Sequence, residues 1–275
     1  MIWAIKDKEK IKSTPKGTAV CPICKSKVIA KCGVVKSWHW SHKSVNDCDN
    51  WAEPESAWHL KWKSYFPKEQ QEVIIENHRA DIKTKGDIVI ELQNSSISAD
   101  DICDREKFYN KMIWLLNGNT FGNNLKIINK KSYFIFEWKN PPKSFFYSND
   151  LIYIDIEEKV KENEELIKDC YERVNKVFYH LKDLIGENPK QYDWTKFVFD
   201  FQDQEERDKI KEIHNLWEEL SCESRYLELI KKKYNKKTIF IIKKLYKNIP
   251  CKGWGYLITK KEFLDRYGGI KNGKE

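Results

Sequence analysis

The sequence predicts a mixed α/β protein with three parts: a small β module over residues 1–51, an α/β domain over 52–155 and a mostly helical region over 156–275. In the first part, short β-type segments surround clustered Cys and His residues. In the second part, segments with strand and helix periodicity alternate. From about residue 155, apolar residues recur at helical spacing as far as Gly186, a residue suited to end a helix.

The composition is that of a globular protein with sizeable cores. Of 275 residues, 40% are hydrophobic and 33% charged, and the net charge is +8. These values exclude disordered and collagen-like proteins. The sequence contains no apolar run of about 18 residues, which a membrane-spanning helix requires, and its start does not resemble a signal peptide. We therefore expect a soluble, cytoplasmic protein without a membrane partner.

The first part contains a predicted metal site. Eight Cys in a cytoplasmic chain favour metal ligands or free thiols over disulfides. Cys21-Pro-Ile-Cys24 places two thiolates on one side of a tight turn, and structural zinc needs four tetrahedral N or S ligands. The second pair is either His42 with Cys48 or His39 with His42. We favour the set of three thiolates and one imidazole, which is a common closed site: Cys21, Cys24, His42 and Cys48.

Other ligand sets are less favoured. His39 and His42 would point to opposite faces of a strand, and Cys32 is a weaker substitute. The alternative interpretation is that these residues are buried thiols and histidines flanked by aromatic rings. We predict a structural Zn²⁺, because a part this small has little core and metal binding would supply folding free energy.

In the second part, the pattern of apolar and polar residues predicts the element order helix, three strands, helix, strand. Pro54 and its acidic neighbours mark the start of the first helix. Apolar runs at 73–75 and 80–82, and an alternating run at 88–92, predict three strands. Ser98 is typical of a helix cap, and the apolar residues 113–116 predict a buried last strand.

Two acidic residues in neighbouring predicted strands form a candidate catalytic pair. Asp81 and Glu91 can meet at one end of the sheet, and Gln93 shares the face of Glu91 because strand side chains alternate. Two close carboxylates repel each other unless a cation lies between them, and oxygen ligands favour Mg²⁺ or Mn²⁺. Such a metal activates water and neutralises charge on a phosphodiester. Taken alone, this spacing also occurs by chance in charged proteins.

A polar stripe on the first predicted helix accompanies this pair. Glu55, His59 and Lys63 are spaced by four residues, which places them on one side of a helix. The stripe is either part of the site or a solvent-facing row of ion pairs.

Five blocks of sequence resemble the competence protein CoiA-like family, over roughly residues 15–117. They occur in order at compatible spacings: CPIC, WHWSH, DCDNWAEPESAWHLKWK, HRADIKTKGDIVIELQNSSIS and DREKFY. The resemblance implies a zinc-binding N-terminal module followed by a PD-(D/E)xK nuclease domain like that of restriction endonucleases. It also implies that Asp81 and Glu91 are metal ligands and that Glu55 is an acid carried by the helix. The associated processes are natural competence, DNA processing and defence.

Gln93 departs from the pattern of that superfamily, which usually has a catalytic lysine at this position. A lysine orients the attacking water and stabilises negative charge, whereas glutamine brings no charge. We hypothesise that Lys63 supplies the ammonium group instead and that Gln93 positions water. His59 would add a ligand or contact phosphate.

The third part lies outside the resemblance. Apolar runs at 133–136 and 151–154 predict two further strands, and lysines between 231 and 247 alternate with aromatic residues. This pattern suits either nucleic acid or a solvated helix face. Trp254 lies in a predicted turn, where it either packs in a core or stacks on a base. The helical region is expected to bind DNA or to form a homo-oligomer, and the sequence leaves both open.

Two functions follow from these patterns. The first is a Mg²⁺-dependent or Mn²⁺-dependent nuclease acting on single- or double-stranded DNA. The second is a catalytically inactive nucleic-acid-binding or scaffold protein with the same fold. The retention of both acids favours the nuclease.

Overall fold

The structure is a computed structural model that describes residues 1–34, 37–43, 48–51, 54–121, 124–130, 132–186, 188–190, 204–233, 237–246 and 251–269. Contacts divide the chain into two compact units. The first unit comprises residues 1–157 together with 237–275, and the second comprises 158–236. The chain therefore leaves the first unit and returns to it near its C-terminal end.

The first unit begins with a five-stranded sheet in the order β2-β1-β3-β4-β5, in which every described pair is antiparallel. The strands are β1 (Trp3–Lys6), β2 (Glu9–Lys12), β3 (Thr18–Val20), β4 (Lys27–Lys31) and β5 (His39–His42). A small core of Ala4, Ala19, Cys21, Val28 and Trp40 lies within it. So few apolar residues give little driving force for folding, as expected for a metal-stabilised module.

The predicted αβββαβ order is confirmed in the next segment. Its elements are α1 (Ala57–Ser64), β6 (Gln71–Ile75), β7 (His78–Lys83), β8 (Val89–Gln93), α2 (Ala99–Tyr109) and β9 (Met112–Asn117). Strands β6, β7 and β8 are antiparallel neighbours, whereas β8 and β9 are parallel. Helix α2 provides the crossover that a parallel pair requires, and Ser98 caps this helix by accepting from the Asp101 backbone amide.

Helix α1 begins later than the sequence predicts. Its N-cap is Ser56, whose side chain accepts from the His59 backbone amide, while the His59 side chain accepts from the Ser56 backbone amide. This capping box satisfies two amides at once. Glu55 therefore precedes the helix, and the prediction that it is an acid carried by the helix is wrong.

The remaining strands extend the second sheet to nine strands, in the order β10-β11-β14-β13-β12-β9-β8-β7-β6. They are β10 (Leu125–Asn129), β11 (Phe134–Trp138), β12 (Leu151–Asp155), β13 (Ile239–Tyr246) and β14 (Cys251–Ile258). Strands β11 and β12 confirm the two predicted extensions. Helix α5 (Lys260–Tyr267) packs with α1 on one face of the sheet, around Trp62, Phe263 and Ile241.

Strands β13 and β14 differ from the sequence predictions. Lys243 and Lys244 lie on a strand rather than on a helix face, and residues 234–236 and 247–250 of the lysine-rich stretch lie outside the described residues. Trp254 lies within β14 and not in a turn. Its neighbour Gly255 permits close packing, because a Cβ there would collide with the Ile241 carbonyl oxygen and the Phe240 ring.

The second unit contains most of α3 (Glu157–Ile185) and α4 (Gln204–Lys233), two helices of 29 and 30 residues. Val177 and Leu181 of α3 pack with Ile213 and Leu220 of α4. Both helices are amphipathic, as the apolar spacing predicts. Among the described residues, no helix has the length and apolar character needed to cross a membrane.

Candidate active site and metal centre

The four favoured Cys and His residues come together at one end of the first sheet. Their ligand atoms all lie within 4.8 Å of one another: Cys21, Cys24, His42 and Cys48. The first two flank the turn between β3 and β4, and His42 ends β5. His39 instead bonds through Nδ1 to the Ser37 carbonyl oxygen at 2.8 Å.

The electrostatics of this cluster suit a bound cation. Hydrogen bonds from Ser26 and His42 outweigh the effect of burial and lower the pKa of Cys24 to about 6. Burial and the neighbouring thiols raise the pKa of Cys48 to about 12. The thiols therefore cannot all ionise easily side by side, and a metal ion would let them do so. Three thiolates with one imidazole form a donor set that fits zinc.

Asp81 and Glu91 lie on the adjacent strands β7 and β8. The register pairs Ile82 with Ile90, which sets the two acids opposite each other on one face. The Asp81 backbone amide donates to Glu91 Oε1 at 3.3 Å, and the Leu92 amide donates to Asp81 Oδ2 at 3.0 Å. Both acids line a cavity of about 20 Å³ together with Glu55, room for one water molecule or one ion.

Lys63 lies among the acids. Its Nζ is 2.6 Å from Glu55 Oε1, 2.8 Å from Asp81 Oδ1 and 3.3 Å from Glu72 Oε1. Its side chain is 1% exposed, which contradicts the alternative of a solvent-facing row of ion pairs. Burial would lower the pKa of Lys63, but the three carboxylates raise it well above its usual value. The ammonium group therefore stays charged and compensates the buried acids.

Burial raises the pKa of two of the carboxyl groups toward neutral pH. Burial, opposed by Lys63 and reinforced by Glu72 and Asp81, raises the pKa of Glu55 to about 7. Burial and the charge of Asp81 raise the pKa of Glu91 to about 7, although Arg105 Nη1 lies 2.8 Å from Glu91 Oε2 and opposes the shift. Asp81 behaves oppositely, because Lys63 overcomes the effect of burial and lowers its pKa. Acids with such divergent pKa values in one cavity are typical of functional sites.

His59 positions backbone groups at the site. Its Nδ1 accepts from the Ser56 backbone amide at 3.2 Å, which leaves Nε2 to donate to the Leu92 carbonyl oxygen at 3.1 Å. Both ring nitrogens thus bond to protein groups, and this geometry does not favour the predicted role as a metal ligand.

Gln93 is buried at the end of β8, and its Nε2 donates to the Ser95 carbonyl oxygen at 3.1 Å. It is not among the residues that line the cavity. Lys63 does not line this cavity either, but its Nζ lies 2.8 Å from Asp81 Oδ1, which places it better than Gln93 to act on the acid pair.

Glu72, which no motif in the sequence singles out, joins the two sheets. Its carboxylate accepts from the backbone amides of Ile2 and Trp3 at 2.9 to 3.0 Å and also meets Lys63. Glu72 has a positive φ of 46°, a conformation that non-glycine residues adopt rarely. The sequence carries no local signal of this role, because Glu72 is simply the second residue of a short strand that continues with apolar residues.

A second connection between the sheets begins beside Cys48 of the Cys/His cluster. The carboxylate of Asp49 accepts from the Arg79 backbone amide at 3.0 Å and contacts His78 Nδ1 at 2.9 Å. Trp51 stacks on the His78 ring with 3.4 Å between centroids, and its carbonyl oxygen accepts from Arg105 Nη2 at 2.9 Å. Arg105 thus links the first part to Glu91.

Comparison with known families matches both halves of this arrangement. A family model of the N-terminal domain of competence protein CoiA matches residues 4–50, and a model of the nuclease-like domain of competence protein CoiA matches residues 55–162. No curated protein and no solved structure matches the chain. The two matched ranges adjoin near Trp51, where the first part contacts the acid cluster.

Proposed function

We propose that this chain, which belongs to the competence protein CoiA family, is a metal-dependent nuclease that hydrolyses phosphodiester bonds in DNA. The proposal starts from the match of residues 55–162 to the nuclease-like domain of that family. The observation that carries the proposal is the opposed pair Asp81 and Glu91, which lines a cavity of about 20 Å³ beside a buried ammonium group. The match to a nuclease-like domain also supports assigning residues 55–162 to the PD-(D/E)xK class of nucleases.

Asp81 and Glu91 would hold a Mg²⁺ or Mn²⁺ ion, since their oxygens are hard ligands. When bound, such an ion supplies a more acidic water and neutralises charge on the phosphate. Lys63 orients the Asp81 carboxylate and stabilises negative charge nearby. Glu55, with a pKa of about 7, suits proton exchange with water at neutral pH. His59 fixes the Leu92 carbonyl oxygen at the cavity wall, and Gln93 has the weakest support for a direct role.

The cluster of Cys21, Cys24, His42 and Cys48 would hold a structural Zn²⁺. Four protein ligands close the coordination shell, so this ion takes no part in hydrolysis. Its role is to complete the fold of the first sheet and to hold the segment that leads from Cys48 to Trp51.

The test is hydrolysis of linear, circular and single-stranded DNA by the purified full chain with added Mg²⁺ or Mn²⁺. We expect Asp81→Ala and Glu91→Ala each to abolish cleavage. Asp87→Asn is the matched control, because Asp87 lies between the same two strands and pairs at the surface with Lys83. Equal cleavage by Asp81→Ala and the unchanged chain would refute the proposal.

One observation favours the second function, a nucleic-acid-binding protein without catalysis. Asp81 and Glu91 are already paired with Lys63 and Arg105 at 2.8 Å each, so the fold does not need a divalent ion to tolerate them. Absence of cleavage for every DNA form, together with salt-sensitive DNA retention, would support this function instead.

A further inference from the structure

The far end of the second sheet carries aromatic rings and lysines on one exposed face. Directly paired residues share a face of a sheet. The register pairs Ile135 with Trp254 and Lys244 with Trp254, which sets these side chains on the same side. We call this surface the ring face, and its members are Lys126, Tyr133, Ile135, Glu137, Lys244, Tyr246, Lys252, Trp254 and Tyr256.

The rings form a contiguous row. Trp254 lies edge-on to Tyr133 at 6.1 Å and to Tyr256 at 5.7 Å between centroids. Tyr133, Tyr246 and Tyr256 are each about 40% exposed, at 39%, 44% and 39%. Further along β14 the same face is covered by α5, where Ile258 packs with Phe263. A row of exposed rings beyond the end of a packed face is a mark of an interaction site.

The charge of the ring face selects the kind of partner. Three lysines surround the rings, and Lys244 Nζ lies 5.3 Å over the Tyr246 ring. The one carboxylate of the set, Glu137, pairs with Lys252 at 3.4 Å. A second copy of the chain would bring lysine against lysine, which is unfavourable. Planar rings next to ammonium groups instead match a strand of phosphates with unpaired bases.

We propose that the ring face binds single-stranded DNA, with bases stacked on Trp254, Tyr256 and Tyr133 and phosphates held by the lysines. In a duplex the bases stack on one another, so the rings would reach only unpaired ones. Side chains two residues apart on a strand are about 7 Å apart, which an extended strand with splayed bases can follow. The rings and lysines of the ring face would contact base planes and phosphates, whereas RNA-specific sites also contact the 2′-hydroxyl group. The choice of DNA rests on the proposed nuclease function.

The test is fluorescence anisotropy of a labelled oligothymidylate with the full chain, without added Mg²⁺ or Mn²⁺. We expect Trp254→Ala and Tyr256→Ala each to weaken binding at least about fivefold, and Trp254→Phe to retain most of it. Tyr179→Ala is the matched control, because Tyr179 is 60% exposed on α3. Lys244→Ala should lower the slope of log affinity against log salt by about 0.7.

Tyr256 and Lys244 are exposed, so these two variants should keep the thermal stability of the unchanged chain. Unchanged affinity in both would overturn the inference. So would equal competition by a duplex, tighter binding of oligouridylate through the same residues, or a dimer that Tyr256→Ala dissociates while DNA binding persists. Binding through the ring face without any cleavage would refute only the nuclease. Cleavage with unchanged binding by Trp254→Ala would refute only the ring face.

Discussion

The Cys/His cluster and the acid cluster both gather ionisable groups, but they balance charge in different ways. The three thiols and one imidazole have ligand atoms within 4.8 Å of one another, and together they offer donors for a cation. The acid cluster instead contains its own cations, since Lys63 contacts three carboxylates and Arg105 contacts Glu91. Under the proposed function, an ion would complete the fold at the first cluster, whereas at the second it would serve chemistry.

The largest expected effect is the loss of metal from the Cys/His cluster. Structural zinc in small modules contributes about 10 kcal/mol or more of folding free energy. We therefore expect a strong zinc chelator, or Cys48→Ser, to unfold the first sheet, measured by proteolysis within residues 1–51 and by thermal unfolding. Removal of Mg²⁺ should leave the melting temperature unchanged.

Cys32→Ser is the control for this prediction, because Cys32 follows β4 and does not belong to the four-ligand cluster. If chelation leaves the first sheet protected from proteolysis, the contrast between the two clusters fails.

The next effect concerns the internal cation of the acid cluster. Lys63→Met leaves three carboxylates without their shared ammonium group, and breaking a buried pair costs about 3–5 kcal/mol. We expect a lower midpoint of urea unfolding and loss of DNA cleavage. Lys61→Met is the control, because Lys61 pairs with Glu157 at 2.9 Å but its side chain is 44% exposed; such pairs contribute about 1 kcal/mol or less.

Lys63→Met with an unchanged unfolding midpoint would mean that the acids do not depend on this ammonium group. Cleavage by a folded Lys63→Met chain would show that Lys63 is not required for the proposed mechanism. Gln93 would then be the favoured residue for positioning water.

A smaller effect is expected where the two sheets meet. Glu72→Gln keeps one acceptor oxygen for the Ile2 and Trp3 amides but removes the charge that faces Lys63. Unsatisfied buried groups cost about 1–3 kcal/mol, so we expect a loss of that order in the free energy of unfolding. Glu69→Gln, three residues earlier in the sequence and exposed, should change it little. Equal effects of the two variants would show that Glu72 does not hold the sheets together.

Local patterns in the sequence predicted the features that depend on neighbouring residues. Cys21-Pro-Ile-Cys24 predicts a metal-binding turn, and the periodicity of apolar residues predicts the αβββαβ order. The start of α1 was misplaced because His59 takes the capping role that Glu or Gln usually has. The sequence does not predict strands β13 and β14, because lysines and glycines interrupt the alternation of apolar and polar residues that is typical of a strand.

Roles that depend on distant partners had no local signal. Glu72 and Arg105 acquire their function from Lys63, Trp51 and Glu91, which are brought to them only by the fold. The same holds for the contact of Trp254 with Tyr133, which forms only when β11 and β14 pair, whereas Tyr256 lies two residues along the same strand as Trp254.

The smallest expected effect is a pH dependence at the acid cluster. The pKa of Glu91 is raised from 4.5 to about 7 by burial and by Asp81, so the folded chain binds this proton more tightly than the unfolded chain. The stability that this proton contributes is present below about pH 4.5 and is lost as the pH rises through about 7. A divalent ion needs the ionised carboxylate, so its affinity should rise over the same interval, by up to about tenfold per pH unit.

Mn²⁺ titration calorimetry of the full chain between about pH 6 and about pH 8 measures this affinity and, in two buffers, the proton released. The Cys/His cluster should keep its zinc throughout, as metal analysis would record. Glu91→Gln should reduce the pH dependence to the part that Glu55, with its pKa of about 7, contributes, while Asp87→Asn should preserve it in full. Mn²⁺ affinity that stays constant over the interval would mean that Glu91 is ionised before metal binds. Lys63 and Arg105 would then be sufficient to balance the charge of the carboxylates in the acid cluster.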